Sequence, residues 1–135
     1  MKRMIPMLLI MTLLLTGCAA PAPQPAPEVN TYRQIAMQEA VEMMEKEENY
    51  IILDVRTHEE FGAGHIPGAI VIPNETIGTE EIPQLPDKDQ LIMVYCRSGN
   101  RSKQASDKLV KLGYTNIIEF GGINSWPGET VSSME

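Results

Sequence analysis

Apolar residues gather into four short runs: Ile51-Ile52-Leu53-Asp54-Val55, Ala69-Ile70-Val71-Ile72, Leu91-Ile92-Met93-Val94-Tyr95 and Asn116-Ile117-Ile118-Glu119-Phe120. Each has few polar positions, the pattern of a strand covered by helices on both faces. A fifth, short strand is predicted near Thr31 to Ile35. Met37, Ala40, Val41 and Met44 recur at helical spacing before the first strong run, and Ala105, Leu109 and Leu112 do so after Cys96. The second helix should end at Gly113, which suits a left-handed cap, with Lys108 and Lys111 placed to favour the negative end of its dipole. Thr57-His58-Glu59-Glu60 has the form of a capping box and opens a short helix through Phe61. Pro73 to Lys88 carries Pro73, Pro83 and Pro86 and has room for at most one helical turn. Strands alternating with helices predict an α/β domain with a mainly parallel sheet. Met37, Met43, Met44 and Met93 fall where they fill a core, and Trp126 and Tyr114 read as packing residues.

The first thirty residues follow another pattern. Lys2 and Arg3 precede an apolar run from Met4 to Leu15, the charged and apolar regions of a secretory signal. That run is too short for the roughly 20 residues that cross a bilayer core. It ends in Leu15-Thr16-Gly17-Cys18, which resembles the lipobox of bacterial lipoproteins. The resemblance implies a signal over 1–17, cleavage before Cys18 and a lipid on its thiol. Ala19 to Glu28 alternates alanine and proline, an extended spacer at about 3.1 Å per residue. The folded domain is then expected over 30–135, outside the cytoplasm, on the outer face of the plasma membrane or on an outer membrane.

The chain has a net charge of −7, and the part left after loss of Lys2 and Arg3 is more acidic still. That balance argues against nucleic acid as a partner. With Cys18 acylated, Cys96 is the one free thiol, so no internal disulfide is expected. His58 and His65, the two histidines, do not stand at ligand spacing from Cys96, so no metal is expected. No cofactor is called for, and a monomer is expected.

The chemistry gathers at Cys96-Arg97-Ser98-Gly99-Asn100-Arg101, between a buried strand and a helix. Ligands bind at the carboxyl ends of parallel strands, where Cys96 would lie. Gly99 and Asn100 tolerate left-handed backbone, so the loop can turn successive N–H groups inward as an anion nest. The positive end of the next helix and the charges of Arg97 and Arg101 add to it. Such surroundings lower a thiol pKa from about 8.5 to roughly 3.5–7.5. Cys96 is therefore expected as a thiolate nucleophile, in a cradle that would also hold a persulfide.

From Thr31 to Gly128 the chain resembles the rhodanese family. The resemblance is carried by Leu53-Asp54-Val55-Arg56, by Glu59-Glu60-Phe61 with Gly64-His65-Ile66-Pro67-Gly68-Ala69, by Cys96 to Ser102, and by Gly121-Gly122-Ile123 with Trp126. It implies a five-stranded, mainly parallel sheet with helices on both faces. It further implies that Cys96 carries sulfane sulfur as a persulfide, while Arg97, Ser98, Gly99, Asn100 and Arg101 bind the donor. The donor would be thiosulfate, a persulfide or a polysulfide, and the acceptor cyanide or a thiol. Asp54 and Arg56, at the end of a neighbouring strand, would order the loop or serve as a structural ion pair or cap, and His65 reads as a turn residue rather than a base. Two other readings compete. Phosphatases and arsenate reductases with a related loop use Cys-x5-Arg, one residue longer than the Cys-x4-Arg here. A rhodanese module without catalysis would bind or sense sulfur species.

Overall fold

The computed structural model describes Gly17 and residues 30–133. Apart from Gly17, the leader, Cys18 and the Ala/Pro spacer lie outside the described residues. Strands β1 (Arg33–Gln34), β2 (Tyr50–Asp54), β3 (Ile70–Val71), β4 (Leu91–Cys96) and β5 (Ile117–Gly122) form one sheet in the order β1-β5-β4-β2-β3. All four pairings are parallel. Helices α1 (Met37–Lys46), α2 (His58–Ala63) and α3 (Asn100–Lys111) alternate with them. Between Pro73 and Lys88 the only regular element is a 3-10 turn at Asn74–Thr76.

The unbroken apolar runs are explained by two cores, one on each sheet face. Along β4, Ile92, Val94 and Cys96 join Ala105 and Leu109 of α3. The intervening Met93 and Tyr95 join Ala40 of α1 and Phe120, with Phe61 of α2 packed against them. Alternate side chains of a strand point to opposite faces, so a strand buried on both sides has no position for solvent. Each fully buried aliphatic side chain contributes roughly 1.5–3 kcal/mol. Met93 is fully buried, and Met37, Met43 and Met44 are partly buried against the second core. Tyr114 is fully buried, with its hydroxyl donated to the Leu85 carbonyl at 2.6 Å.

The helix ends follow their sequence signals. Thr57 Oγ1 accepts the Glu60 N–H at 3.2 Å, closing a capping box at the start of α2. Gly113, at φ +98°, ends the last turn of α3 as the Gly113 and Tyr114 N–H groups fold back onto Val110 and Leu109 carbonyls. The outer strands β1 and β3 are two residues each, and β3 takes in only part of the run from Ala69 to Ile72.

Strand order also places the site. β2 leads through α2 to β3 on one side of the sheet centre, and β4 leads through α3 to β5 on the other. The chain therefore diverges between neighbouring β2 and β4, the kind of switch point where open α/β sheets form a crevice beyond their strand ends. Cys96 ends β4 there, and Asp54 ends β2 beside it.

Candidate active site

Cys96 is buried at 1% exposure beneath the loop that joins β4 to α3. The loop turns on Gly99, whose φ of +112° only glycine adopts without strain. Asn100 has no positive φ and opens the helix instead. This turn brings the Gly99 N–H to 3.0 Å from Cys96 Sγ, and the Ser102 hydroxyl lies 3.4 Å from the same sulfur. Burial pushes the thiol pKa up. Hydrogen bonds from the Ser102 hydroxyl and the Ser102, Gly99 and Ser98 N–H groups outweigh it, and the net shift is downward. The nest expected from the sequence is thus made of backbone donors and one hydroxyl.

Neither arginine is among the groups that donate to the sulfur. Arg97 is exposed and lines a cavity of about 420 Å³ beside the loop, together with Arg56, Glu60, Gly64, Asn124 and Thr130. Arg101 is held in a two-pronged ion pair with Glu60 of α2, at 2.7 and 3.0 Å. The guanidinium holds the Glu60 carboxyl down at about 2, from 4.5. Much of the charge that Arg101 could offer the sulfur is therefore already compensated, and its bond to Glu60 ties α2 to α3 across the crevice.

Because the Glu60 pKa is depressed on folding, its contribution to stability is complete above about pH 4.5 and fades as pH falls through about 2. Glu60→Gln should therefore lower Tm at neutral pH, and the gap to wild type should close in acid. A gap that stays constant down to the lowest pH would mean that the ion pair adds nothing.

Asp54 and Arg56 form the floor of the site. Asp54 is fully buried, and Arg56 donates to its two oxygens from Nε and Nη2 at 2.6–3.1 Å. The Tyr95 hydroxyl adds a bond to Asp54 Oδ2 at 2.7 Å, and Arg56 Nη2 also reaches the Gly64 carbonyl at 2.7 Å. The pair fixes the end of β4 through the residue before Cys96. His65 stacks on Phe61 with centroids 3.7 Å apart, and its Nδ1 lies 2.8 Å from the Phe61 carbonyl. Its backbone bridges to Val131. These are turn-holding contacts.

The Gly121-Gly122 pair has a steric reason. Val94 pairs with Glu119 but Cys96 with Gly122, so Phe120 and Gly121 together stand opposite Tyr95 in a bulge. Gly121 takes φ +97° there. A Cβ on Gly122 would lie 2.0 Å from the Arg97 carbonyl oxygen, so the bare backbone of β5 is what lets the loop close over it. The bulge leaves Glu119 directed at the loop: its Oε1 accepts the Gly121 N–H at 2.8 Å and the Ser102 hydroxyl at 2.7 Å. Neither Ser102 nor Glu119 stands out individually in the sequence. An acidic residue inside an apolar strand run was the signal available.

Among the described residues no group of acidic, histidine or cysteine side chains could hold a metal, and no helix is long and apolar enough to cross a membrane.

Known proteins resemble this chain in sequence and fold. The family described as rhodanese-like domain matches residues 36–129. The thiosulfate sulfurtransferase PspE of Escherichia coli is 37% identical over 71 residues, covering 53% of this chain and 68% of PspE. A sulfurtransferase of Allochromatium vinosum is 39% identical over 82 residues, covering 58% of this chain and 73% of the relative. Two fungal relatives are much longer, and the chain spans 23% and 21% of their length. A solved structure of a rhodanese with anions from E. coli superposes with a TM-score of 0.56 at 34% identity, over 62% of this chain and 98% of that one.

Proposed function

This chain belongs to the rhodanese-like family, and from that premise we propose that it is a sulfurtransferase whose Cys96 carries sulfane sulfur from an anionic donor to a nucleophilic acceptor. Its relatives named as sulfurtransferases support the activity in general terms. The observation that carries the reading for this chain is the sulfur of Cys96, held beneath a ring of N–H donors with its pKa shifted downward.

The proposed chemistry runs in two displacements. The Cys96 thiolate attacks the outer sulfur of thiosulfate, the donor's S–S bond breaks, and sulfite leaves with the electron pair. The negative charge now sits on the outer sulfur of a persulfide. Cyanide, or an acceptor thiolate, attacks that sulfur, leaves as thiocyanate or a new persulfide, and restores the thiolate. Arg97, exposed and among the residues that line the cavity, would draw in an anionic donor by its charge. Ser98, Gly99 and Asn100 supply the turn and its donors, and Arg101 braces the loop through Glu60. A phosphate ester would need a wider ring than the Cys-x4-Arg loop provides.

Thiocyanate release by the full chain from thiosulfate and cyanide tests the proposal. Hydrolysis of aryl phosphates without any sulfur transfer to any acceptor would overturn it.

For the segment before the domain, we propose a lipid tether on Cys18 and a position outside the cytoplasm, on the strength of the Leu15 to Cys18 motif. The protein should partition with membranes and incorporate labelled fatty acid, and Cys18→Ser should lose the label. Equal labelling of both would remove the tether.

A further inference from the structure

Beyond β5 the chain crosses to α2 and becomes part of the cavity beside the active loop. Trp126 follows the short turn at Ile123–Ser125, and its indole N–H donates to the Glu129 carbonyl at 3.0 Å. Gly128 packs against the ring, where a Cβ would come within 2.9–3.0 Å of indole atoms. The chain then meets the turn after α2 in an antiparallel bridge. Val131 and His65 exchange two backbone hydrogen bonds of 2.9 Å. The Ser133 N–H and the Ser132 hydroxyl both donate to the Gly62 carbonyl, at 3.1 and 2.9 Å. Arg56 holds the same turn from inside through the Gly64 carbonyl. Residues 128–133 thus form a strap fixed at both ends, and the match to the rhodanese-like family ends at 129, before the anchors on α2.

Thr130 lies in the middle of the strap and lines the cavity of about 420 Å³ with Arg56, Glu60, Arg97 and Asn124. Such a volume lies in the range of sites that enclose a whole small organic molecule. Cyanide or thiosulfate would leave most of it empty. The polar groups around it are unequally occupied. Arg56 is paired with Asp54 and Glu60 with Arg101, whereas Arg97 forms no ion pair with a described residue. The side-chain amide of Asn124 and the hydroxyl of Thr130 donate to no described residue either, and all three residues are exposed. A guanidinium, an amide and a hydroxyl left free around one cavity suit the carboxylate of a small ligand.

Resting on the sulfurtransferase reading, we infer that the strap is a specificity wall on which Thr130, with Arg97 and Asn124, selects a small carboxylate-bearing thiol as the sulfur acceptor. The carboxylate is held in the cavity while the acceptor's thiolate attacks the outer sulfur of the Cys96 persulfide. The S–S bond to Cys96 breaks, its electron pair stays on Cys96, and the acceptor leaves as a persulfide. By walling the cavity along α2, the strap leaves room for a small molecule and keeps out a cysteine carried on a folded protein.

The test uses the full chain with Cys18→Ser, which leaves Cys96 as its one thiol. Persulfide-loaded protein is mixed with 3-mercaptopropionate, with its neutral counterpart 2-mercaptoethanol, or with a folded protein bearing one exposed cysteine. Mercaptopropionate should show a KM about tenfold below that of mercaptoethanol, the effect of a charge-assisted hydrogen bond. The protein thiol should react slowest. Thr130→Val, which keeps the shape and loses the hydroxyl, should narrow the gap several-fold through KM rather than kcat. Removal of residues 129–135 should speed the protein thiol by about tenfold or more relative to cyanide. If that truncation does not fold, Thr130→Trp reads the same wall by filling the cavity, and should slow both small thiols by about tenfold or more relative to cyanide. Equal KM values for the two small thiols in wild type, or a gap that Thr130→Val leaves intact, would overturn the inference. So would an acceptor preference that neither wall variant alters. A binding measurement stands apart from transfer. 3-(Methylthio)propionate cannot accept sulfur, yet it should slow alkylation of Cys96 by iodoacetamide in wild type, and do so several-fold less in Thr130→Val. Protection without transfer to any acceptor leaves the carboxylate site standing and counts against the sulfurtransferase reading. Transfer without protection or preference counts against the strap alone.

Discussion

Cys96→Ser should abolish covalent sulfur loading completely. Wild-type protein treated with thiosulfate is expected to gain the mass of one sulfur atom, and cyanide or a small thiol should remove it. A serine hydroxyl, even in the same ring of donors, cannot hold sulfane sulfur as a persulfide. The variant should fold, because the loop is shaped by Gly99 and by the bulge of β5 rather than by the sulfur. Intact-mass measurement separates three outcomes. Loading of wild type alone supports the mechanism, and loading of both proteins would move the sulfur carrier away from Cys96. Loading of neither with any donor, while wild-type Cys96 still alkylates, would leave a domain that binds without transferring.

The second large effect is expected at Gly122. An added methyl there meets the Arg97 carbonyl carbon at 2.3 Å and the Ser98 nitrogen at 2.5 Å, besides the carbonyl oxygen. Overpacking in a core costs typically about 1–3 kcal/mol when side chains can shift. Here the obstacles are backbone atoms held between β4 and α3, so Gly122→Ala should cost about 3 kcal/mol or more. For a domain of this size, Tm should fall by at least about 10 °C, and sulfur loading should fall with it. Gly78→Ala is the matched control, since its methyl meets nothing within 4 Å. A Gly122→Ala protein with wild-type Tm and loading would show that loop and strand can separate at little cost.

The architecture was legible because its signals are local. The four apolar runs each contain a strand, and the capping box at Thr57 opens α2. Cys96 and its loop could be placed from the strand that precedes them and the glycine within. The partners of that loop could not, since Ser102 meets Glu119 at a separation of 17 residues and Arg101 meets Glu60 at 41. Such pairings depend on strand order and on a one-residue bulge, neither of which leaves a periodic trace. The same gap explains why Arg101 was expected to serve the sulfur directly. Its carboxylate partner is visible in the sequence as part of a helix cap and of a family motif, with nothing there to link it to Arg101.

The short outer strands have a consequence for how this protein tolerates crowding. A sheet margin with a long row of free N–H and C=O groups invites a neighbour to extend it. Here the two margins, β1 and β3, are two residues each, and β1 presents the exposed side chains of Arg33 and Gln34. Little is left on either flank for another copy to zip onto. Copies brought together at high local density would then meet through short, non-templating flanks, which should not convert the sheet into a seed for aggregation.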